Sequence, residues 1–441
     1  MGIADLSPLN RAQEQRAWYF YDWANSAFAT TVGGVLFGPY LKEIAEEAAV
    51  DNRVDVVGIS VSPGSLPAFV ITASTILSAV LLPLLGAVAD RTARKKDLLA
   101  GFAWAGAAFA ALLFFVTGDN WELGAVAFLL ANLCFGAAAV FNDALLPIIS
   151  TEEERDRVSS RGWAMGYAGG GLLLAINFVL IQAHDAFGMS EGTAARISML
   201  SAAVWWAGFT IIPFRGLRNH PPRAVEATGG SFGQLRATLR DLRSYPVALT
   251  FLVAYLFFND GIQTVISQAS LYGTDELGFE LGTVLATYLL VQFVAVGGAI
   301  LFGRAAARYG AKRVILAGLV TWMAIVTIAL VLPDEQLVPF LLLGAAIGIV
   351  LGGTQALARS YFSLLIPRGK EAEYFSFYHA MERGTSWFGT LVFGLVYQFT
   401  DSYRPAIFAL VAFFVIGGAL LLKVDTARGI REAGNALPRT P

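Results

Sequence analysis

Residues Gly86 to Lys96 read G-A-V-A-D-R-T-A-R-K-K, a short polar joint between two long apolar runs. A weaker copy lies 217 residues later, where Gly303 to Arg313 read G-R-A-A-A-R-Y-G-A-K-R. Gly86 matches Gly303, Arg91 matches Arg308, and Lys95 and Lys96 match Lys312 and Arg313. Asp90 has no counterpart, because Ala307 stands there. A basic joint repeated inside an apolar chain implies two similar halves. Two halves around a shared centre are a common plan of secondary transporters.

Composition agrees with a membrane setting. Of 441 residues, 56% are hydrophobic and 15% charged. Soluble domains carry about 25% charged residues. Apolar runs fall near 17–41, 66–88, 98–117, 123–148, 161–182, 196–214, 247–271, 281–303, 313–332, 337–358, 376–398 and 404–423. Each is close to the roughly 20 residues that cross a bilayer. In lipid, runs of this length satisfy their backbone only as helices. The fold class expected is therefore all-α: twelve transmembrane helices in two six-helix halves. The halves are residues 1–214 and 247–441. A polar linker, 215–246, separates them and holds six arginines, Pro221-Pro222 and Gly229-Gly230.

Orientation follows from the basic residues. With both termini in the cytoplasm, 27 of the 31 Lys and Arg fall on the cytoplasmic side. Only Lys42, Arg53, Arg196 and Arg404 fall outside. This is the positive-inside bias. Residues 1–16 are polar and lack the apolar core of a cleavable signal peptide, so the first span is expected to serve as its own insertion signal. One cysteine, Cys134, excludes disulfides within the chain. The net charge of −2 gives no sign of nucleic-acid binding. The partners expected are a small-molecule substrate, protons and the lipid bilayer, with the chain a monomer.

Glycine recurs every four residues at Gly162, Gly166 and Gly170, and again at Gly344, Gly348 and Gly352. Small residues at this spacing let helices approach closely in lipid, so plain packing is expected of both stripes.

Charged groups inside a bilayer are costly and usually functional. Asp22, Asn25, Ser26 and Ala29 lie at spacings i, i+3, i+4 and i+7. Asp260, Gln263, Thr264 and Ser267 repeat that spacing 238 residues on. Each set falls on one helix face. The first and seventh helices thus present equivalent polar stripes, expected to point at one central cavity. Asp22 and Asp260 are candidate sites for a coupling proton or a substrate ammonium, although either acid can instead be structural. Asn25, Ser26, Gln263, Thr264 and Gln355 are candidates for polar contacts to substrate.

Aligning Gly136 with Gly352 sets Asp143 opposite Arg359 and Asn142 opposite Ala358. Asn142, Asp143 and Arg359 are a candidate gate, with separate local partners such as Arg161 or Glu382 expected rather than a direct Asp143–Arg359 bridge. Trp18 is expected in an interfacial aromatic belt. His379 is expected as a packed or cavity residue, not a metal ligand. Gly86, Asp90, Arg91 and Arg94 are expected to form a cytoplasmic latch, with the aspartate facing the positive end of a neighbouring helix. No P-loop, H-E-x-x-H or Cys/His cluster is present. No enzymatic activity, cofactor or metal is expected.

The joint at Gly86–Lys96 resembles the signature of the major facilitator superfamily. Other segments resemble its vacuole-effluxer-like, autophagy-related branch and the bacterial relatives of that branch. They are Y-F-Y-D-W-A-N-S-A-F-A-T-T at Tyr19–Thr31, F-N-D-A-L-L-P at Phe141–Pro147 and R-V-S-S-R-G-W-A-M-G-Y at Arg157–Tyr167. F-F-N-D-G-I-Q-T at Phe257–Thr264 and G-G-T-Q-A-L-A-R-S at Gly352–Ser360 complete the set. The resemblance implies a twelve-helix fold, alternating access and export of amino acids. The short loops favour a bacterial inner-membrane protein. A carrier of lipid-like substrates, or a non-transporting sensor on the same scaffold, is the alternative.

Overall fold

The computed structural model describes residues 8–221, 240, 243–384, 386–400 and 402–438. Much of the expected linker, at 222–239, 241 and 242, lies outside the described residues. The N-terminal half begins with α1 (Pro8–Ala27), a π-helical turn (Phe28–Leu36) and α2 (Phe37–Ala48). A two-stranded hairpin, β1 (Val54–Val56) and β2 (Ile59–Val61), follows. Then come α3 (Leu66–Asp90), α4 (Lys95–Ala111), α5 (Trp121–Ile149), α6 (Arg155–Gln182) and α7 (Glu191–Gly216). The C-terminal half holds α8 (Pro246–Leu271), α9 (Leu281–Tyr309), α10 (Ala311–Leu330) and α11 (Leu337–Leu365). It ends with α12 (Glu371–Gly384), α13 (Ser386–Thr400), α14 (Tyr403–Ala409), α15 (Val411–Lys423) and the short α16 (Thr426–Glu432).

Ten of the described helical segments are long and apolar enough to cross a bilayer. The segments at 8–48 and 371–400, matching the first and eleventh apolar runs, are not among them. The first is made more polar by Arg11, Glu14, Arg16 and Asp22 of α1; the second is described as two helices of 14 and 15 residues, α12 and α13, and α12 carries Glu371, Glu373, Glu382 and Arg383. Both helices start several residues before their apolar runs, in polar turns that are buried in α12 and largely exposed in α1 up to Glu14. Glu14, Gln15, Glu371 and Glu373 are all buried. These two polar helices supply much of the site described below.

Two apolar cores form. One gathers buried side chains from Ala17 to Leu217, and the other from Val247 to Ile430. The halves meet where α3 packs on α12 and α6 packs on α9 and α11. The glycine stripes do the packing expected of them. A Cβ at Gly352 would collide with the Ala295 carbonyl of α9, and one at Gly348 would lie 2.8 Å from the Val291 carbonyl. On α6, a Cβ at Gly170 would lie 3.0 Å from the Ser26 carbonyl of α1.

At the end of the bundle that carries the basic joints, the halves are tied together. Asp90 ends α3 and caps α12 of the other half. Its carboxylate accepts from the Ala372 amide at 3.1 Å and the Glu373 amide at 2.8 Å. A negative charge here meets the positive end of a helix, with charge-assisted hydrogen bonds. Lys95 sits 2.7 Å from Asp90 and 3.6 Å from Glu371. Gly86 makes the approach possible, since a Cβ there would collide with the Ala372 carbonyl and lie 2.8 Å from Ser376. Arg94 does not reach across: it pairs with Asp97 of its own helix at 2.9 Å. Lys95 takes the cross-half place expected of it, because it is buried beside Asp90 while Arg94 is exposed. Asp90→Ala is expected to lower stability by about 2 kcal/mol, through one lost cap and a buried lysine left with Glu371 alone. Thermal unfolding in detergent, with Asp97→Ala as a comparison, checks this.

The second joint lacks an acid and is closed differently. A Cβ at Gly303 would lie 2.5 Å from the Ser160 hydroxyl of α6. Nearby, Arg155 donates to the Ser363 carbonyl at 2.9 Å, and Ser360 donates to Asp156 at 2.5 Å. Arg368 pairs with Glu152 at 2.5 Å. Burial pushes the Glu152 carboxyl up, but Arg155 and Arg368 outweigh it and hold the group below the usual range. At the opposite end, polar links run within one half. Tyr40 donates to the Val116 carbonyl, Tyr272 donates to the Ala329 carbonyl, and Arg404 pairs with Glu276.

Candidate functional site at the interface of the halves

The most charged point of the interior lies where α1, α5 and α6 of one half meet α11 and α12 of the other. Arg359 of α11 is its centre, buried to 4% exposure. An unpaired guanidinium there would carry a large desolvation cost. Two carboxylates of the other half offset it. Nη2 lies 3.1 Å from Asp22 Oδ2, and Nη1 lies 3.1 Å from Asp143 Oδ1. The remaining donors are also used: Nε donates to Ser159 Oγ at 2.9 Å and Nη2 to the Ser159 carbonyl at 3.0 Å. The guanidinium carbon also lies over two indoles, 4.7 Å from the Trp18 ring centre and 5.4 Å from that of Trp163. Planar arginine suits such stacking on aromatic faces better than lysine.

The cluster continues in both directions. Asn142 donates to Asp22 Oδ1 at 3.2 Å, and the Asn142 carbonyl accepts from Trp18 Nε1 at 2.8 Å. His379 of α12 places Nε2 3.0 Å from Asp143 Oδ2 and Nδ1 3.0 Å from Glu382 Oε2. An unbroken polar chain thus runs Asp22–Arg359–Asp143–His379–Glu382, crossing between halves at each of its first three steps. Gly162 of α6 makes room for it. A Cβ there would collide with Asp22 Oδ2 and come within 2.6 Å of the Trp18 ring.

Several sequence expectations change here. The direct Asp143–Arg359 bridge is made, where separate local partners were expected. The reason is that α5 and α11 bring both residues to the same inter-half seam, with Glu382 reached through His379 instead. Trp18 is fully buried against Arg359 rather than in an interfacial belt. Lys95 and Trp163 had no place in the expected site. His379 is buried, in keeping with a packed or cavity residue, and it has two carboxylate partners. The spacing of His379 and Glu382, i and i+3 on one helix face, was the available signal.

Asp22 and Asp260 hold equivalent places with unlike partners. Asp260 Oδ2 accepts from the Gly389 amide at 2.7 Å, within the C-terminal half. Its Oδ1 is buried and has no hydrogen-bond partner among the described residues. The asymmetry has a simple origin. Asp22 of α1 meets Arg359 of α11. The symmetry-related residues are Asp260 and Asp143, two acids that cannot pair.

The other candidates are distributed around these acids. Thr264 donates to the Asp260 carbonyl at 2.8 Å. Gln355 donates to Asn259 Oδ1 at 2.7 Å, so it is engaged inside its own half. Gln263 is half-buried. Ser26 lies 3.4 Å from Asn25 Oδ1 and faces Gly166 of α6. The chain changes from α to π geometry just past this face, at Phe28. Such π segments are rare and gather at functional sites.

Comparison with known proteins agrees with this architecture. The model of the family described as "Vacuole effluxer Atg22 like" matches residues 10–434. The chain is 30% identical to the uncharacterized MFS-type transporter YxiO of Bacillus subtilis over 432 residues, covering 97% of this chain and 98% of that protein. It is 26% identical to autophagy-related protein 22 of Yarrowia lipolytica, covering 85% and 78% of the two chains. Among solved structures, the proton:xylose symporter XylE superposes with a TM-score of 0.73 at 11% identity, over 95% of this chain and 96% of that one. FucP in the outward conformation superposes with a TM-score of 0.65 at 14% identity, over 94% and 98%. These solved structures establish the fold. With a repeated basic joint, two helical halves and a family match over nearly its whole length, the chain belongs to the Atg22-like vacuole effluxer family of major facilitator transporters.

Proposed function

We propose that the protein exports amino acids, or similar small zwitterionic solutes, by alternating access coupled to protons. The observation that carries this reading is the buried charge cluster centred on Arg359, which joins the halves where their relative motion would open or close a path. A zwitterion offers both signs of charge to such a site. Its carboxylate suits Arg359, and its ammonium suits Asp22 or the unpartnered Oδ1 of Asp260. Asn25, Ser26, Gln263, Thr264 and Gln355 supply polar contacts around those acids. Asn142, Asp143 and Arg359 act as the gate. The name of the matching family supports efflux, and the polar character of the cluster favours a zwitterion over a lipid-like substrate.

In this reading both termini and the linker at 215–246 face the cytoplasm of a bacterial inner membrane, as the basic residues suggest. The tied end is then the cytoplasmic end. Asp90, Lys95, Arg155 and Arg368 hold it shut, which corresponds to an outward-facing state. Opening the cytoplasmic side requires breaking those contacts and the Arg359 bridges together.

Two experiments test the reading. Thermal unfolding of the purified protein is measured with single amino acids and with nucleosides, at two pH values. A ligand at about 100 times its Kd stabilises by about 2.7 kcal/mol. Selective stabilisation by amino acids is expected, and stabilisation by nucleosides alone would refute the substrate class. Asp260→Asn is expected to fold and to lose gradient-driven uptake into inverted vesicles. Undiminished uptake would remove Asp260 from the mechanism.

A further inference from the structure

We propose that His379 carries the coupling proton, and that its protonated ring completes the bridge holding α5 of one half to α12 of the other. This rests on the transport reading above and names the proton site within it. The ring has a carboxylate oxygen 3.0 Å from each nitrogen: Asp143 on Nε2 and Glu382 on Nδ1. Ionised carboxylates only accept hydrogen bonds, and a neutral imidazole has one N–H to give. Both contacts are satisfied together only when the ring carries its second proton. Asp143 gives its other oxygen to Arg359, whose Nη1 donates to Oδ1 at 3.1 Å.

The surrounding charges agree. From α5 the ring meets Asp143, and from α11 Arg359 lies one carboxylate away. Its own helix adds Glu382 and Arg383, the latter donating to Asn132 Oδ1 of α5 at 3.1 Å. From α8 the phenol Tyr255 stacks on Tyr378, the ring's neighbour, at 4.1 Å. Asp22 of α1 joins through Arg359. From α3, Asp90 caps the far end of α12 with Lys95 beside it. Around the seam, the carboxylates of Asp22, Asp143 and Glu382 face the guanidiniums of Arg359 and Arg383. One negative charge remains, and the imidazolium cancels it.

When the proton leaves a ring nitrogen for water, that nitrogen turns a lone pair toward a carboxylate oxygen. The neutral ring serves one acid, and the Asp143–His379–Glu382 bridge cannot persist intact. Because Asp143 belongs to one half and His379 to the other, proton loss loosens the tied end. Proton binding shuts it again. The proton thereby selects which side of the membrane the site faces, a population shift between two states.

The test reads conformation without any substrate. The full chain, with Cys134→Ala and spin labels at Ala93→Cys and Arg313→Cys, is placed in lipid nanodiscs. Distances across the tied end are measured by pulsed electron resonance from about pH 5 to about pH 9, the range a histidine covers. The long-distance population should grow as pH rises. In His379→Gln the populations should become independent of pH. In Glu382→Gln the ring loses an acidic partner, so the midpoint should fall by about one pH unit or more. A pH-independent wild type would overturn the proposal, and so would an unchanged pH response in His379→Gln. If His379→Gln does not fold, an unmoved midpoint in Glu382→Gln overturns it. None of these outcomes depends on uptake, so they separate a failure of the His379 site from a failure of the transport reading.

Discussion

Arg359→Gln is expected to lower stability by about 3–5 kcal/mol, the range for removing one member of a buried ion pair. The guanidinium is the only cation in direct contact with Asp22 among the described residues, and it shares Asp143 with His379. Its loss leaves Asp22 buried with Asn142 as its remaining named partner. It also removes the donors to the Ser159 hydroxyl and carbonyl, leaving the hydroxyl only its bond to the Ala356 carbonyl, and takes the cation from the Trp18 and Trp163 rings. Glutamine restores some volume and one or two donors, but no charge. Arg359→Lys keeps the charge and still loses the fork that spans two acids and a serine, so it should fall between the wild type and Arg359→Gln. Thermal unfolding in detergent checks the order. A combined Asp22→Asn and Arg359→Gln variant should be less damaged than the two single changes predict, because the uncompensated charge disappears with its partner. Additive losses would mean that the two residues are not energetically coupled.

Gly162→Ala is expected to be nearly as harmful, although it adds one methyl group. Two effects oppose each other. Alanine favours a helix interior over glycine by about 1 kcal/mol. The new Cβ, however, would overlap Asp22 Oδ2, lie 2.6 Å from the Trp18 ring and lie 3.0 Å from Arg359 Nη2. All three neighbours are buried and held by their own partners, so they cannot yield freely. Overpacking of this kind costs about 1–3 kcal/mol. Here the displaced atoms also belong to the ion cluster, which places the net effect toward the upper end. Gly208→Ala on α7 is the matched control, since a Cβ there meets nothing within 4 Å. It should be neutral or stabilising by up to about 1 kcal/mol.

The fold was largely legible because it rests on periodicities that a bilayer imposes. Apolar runs of spanning length, the copied joint and the glycine stripes each have a local signature. The helix ends were less legible. α1 and α12 begin in polar turns that pack against distant segments, Glu154 and His220 for α1 and Asp90 and Lys95 of the opposite half for α12, which no window of one helix can show. The site was legible in its members more than in its pairings. Asp22, Asn142, Asp143 and Arg359 stand out as polar residues in apolar helices. Which acid meets the arginine depends on how α1, α5 and α11 cross, a contact spanning 337 positions of the chain between Asp22 and Arg359. Internal symmetry misled at this point. It paired Asp22 with Asp260 as equals, yet a single arginine on one side gives them different surroundings. Trp18 shows the same limit, since a tryptophan near a helix end reads as an interfacial residue until a buried cation is found against its face. Lys95 was hidden in a basic run, where nothing in the sequence singled out the lysine that turns inward.

The most direct measurement is uptake by proteoliposomes loaded to give an imposed proton gradient and supplied with a mixture of amino acids, read by mass spectrometry. Wild-type protein should accumulate at least one amino acid, only while the gradient lasts, and Arg359→Gln protein in equal amount should not. If no amino acid is accumulated, or if the variant accumulates it as the wild type does, the inter-half charge cluster is not the transport site.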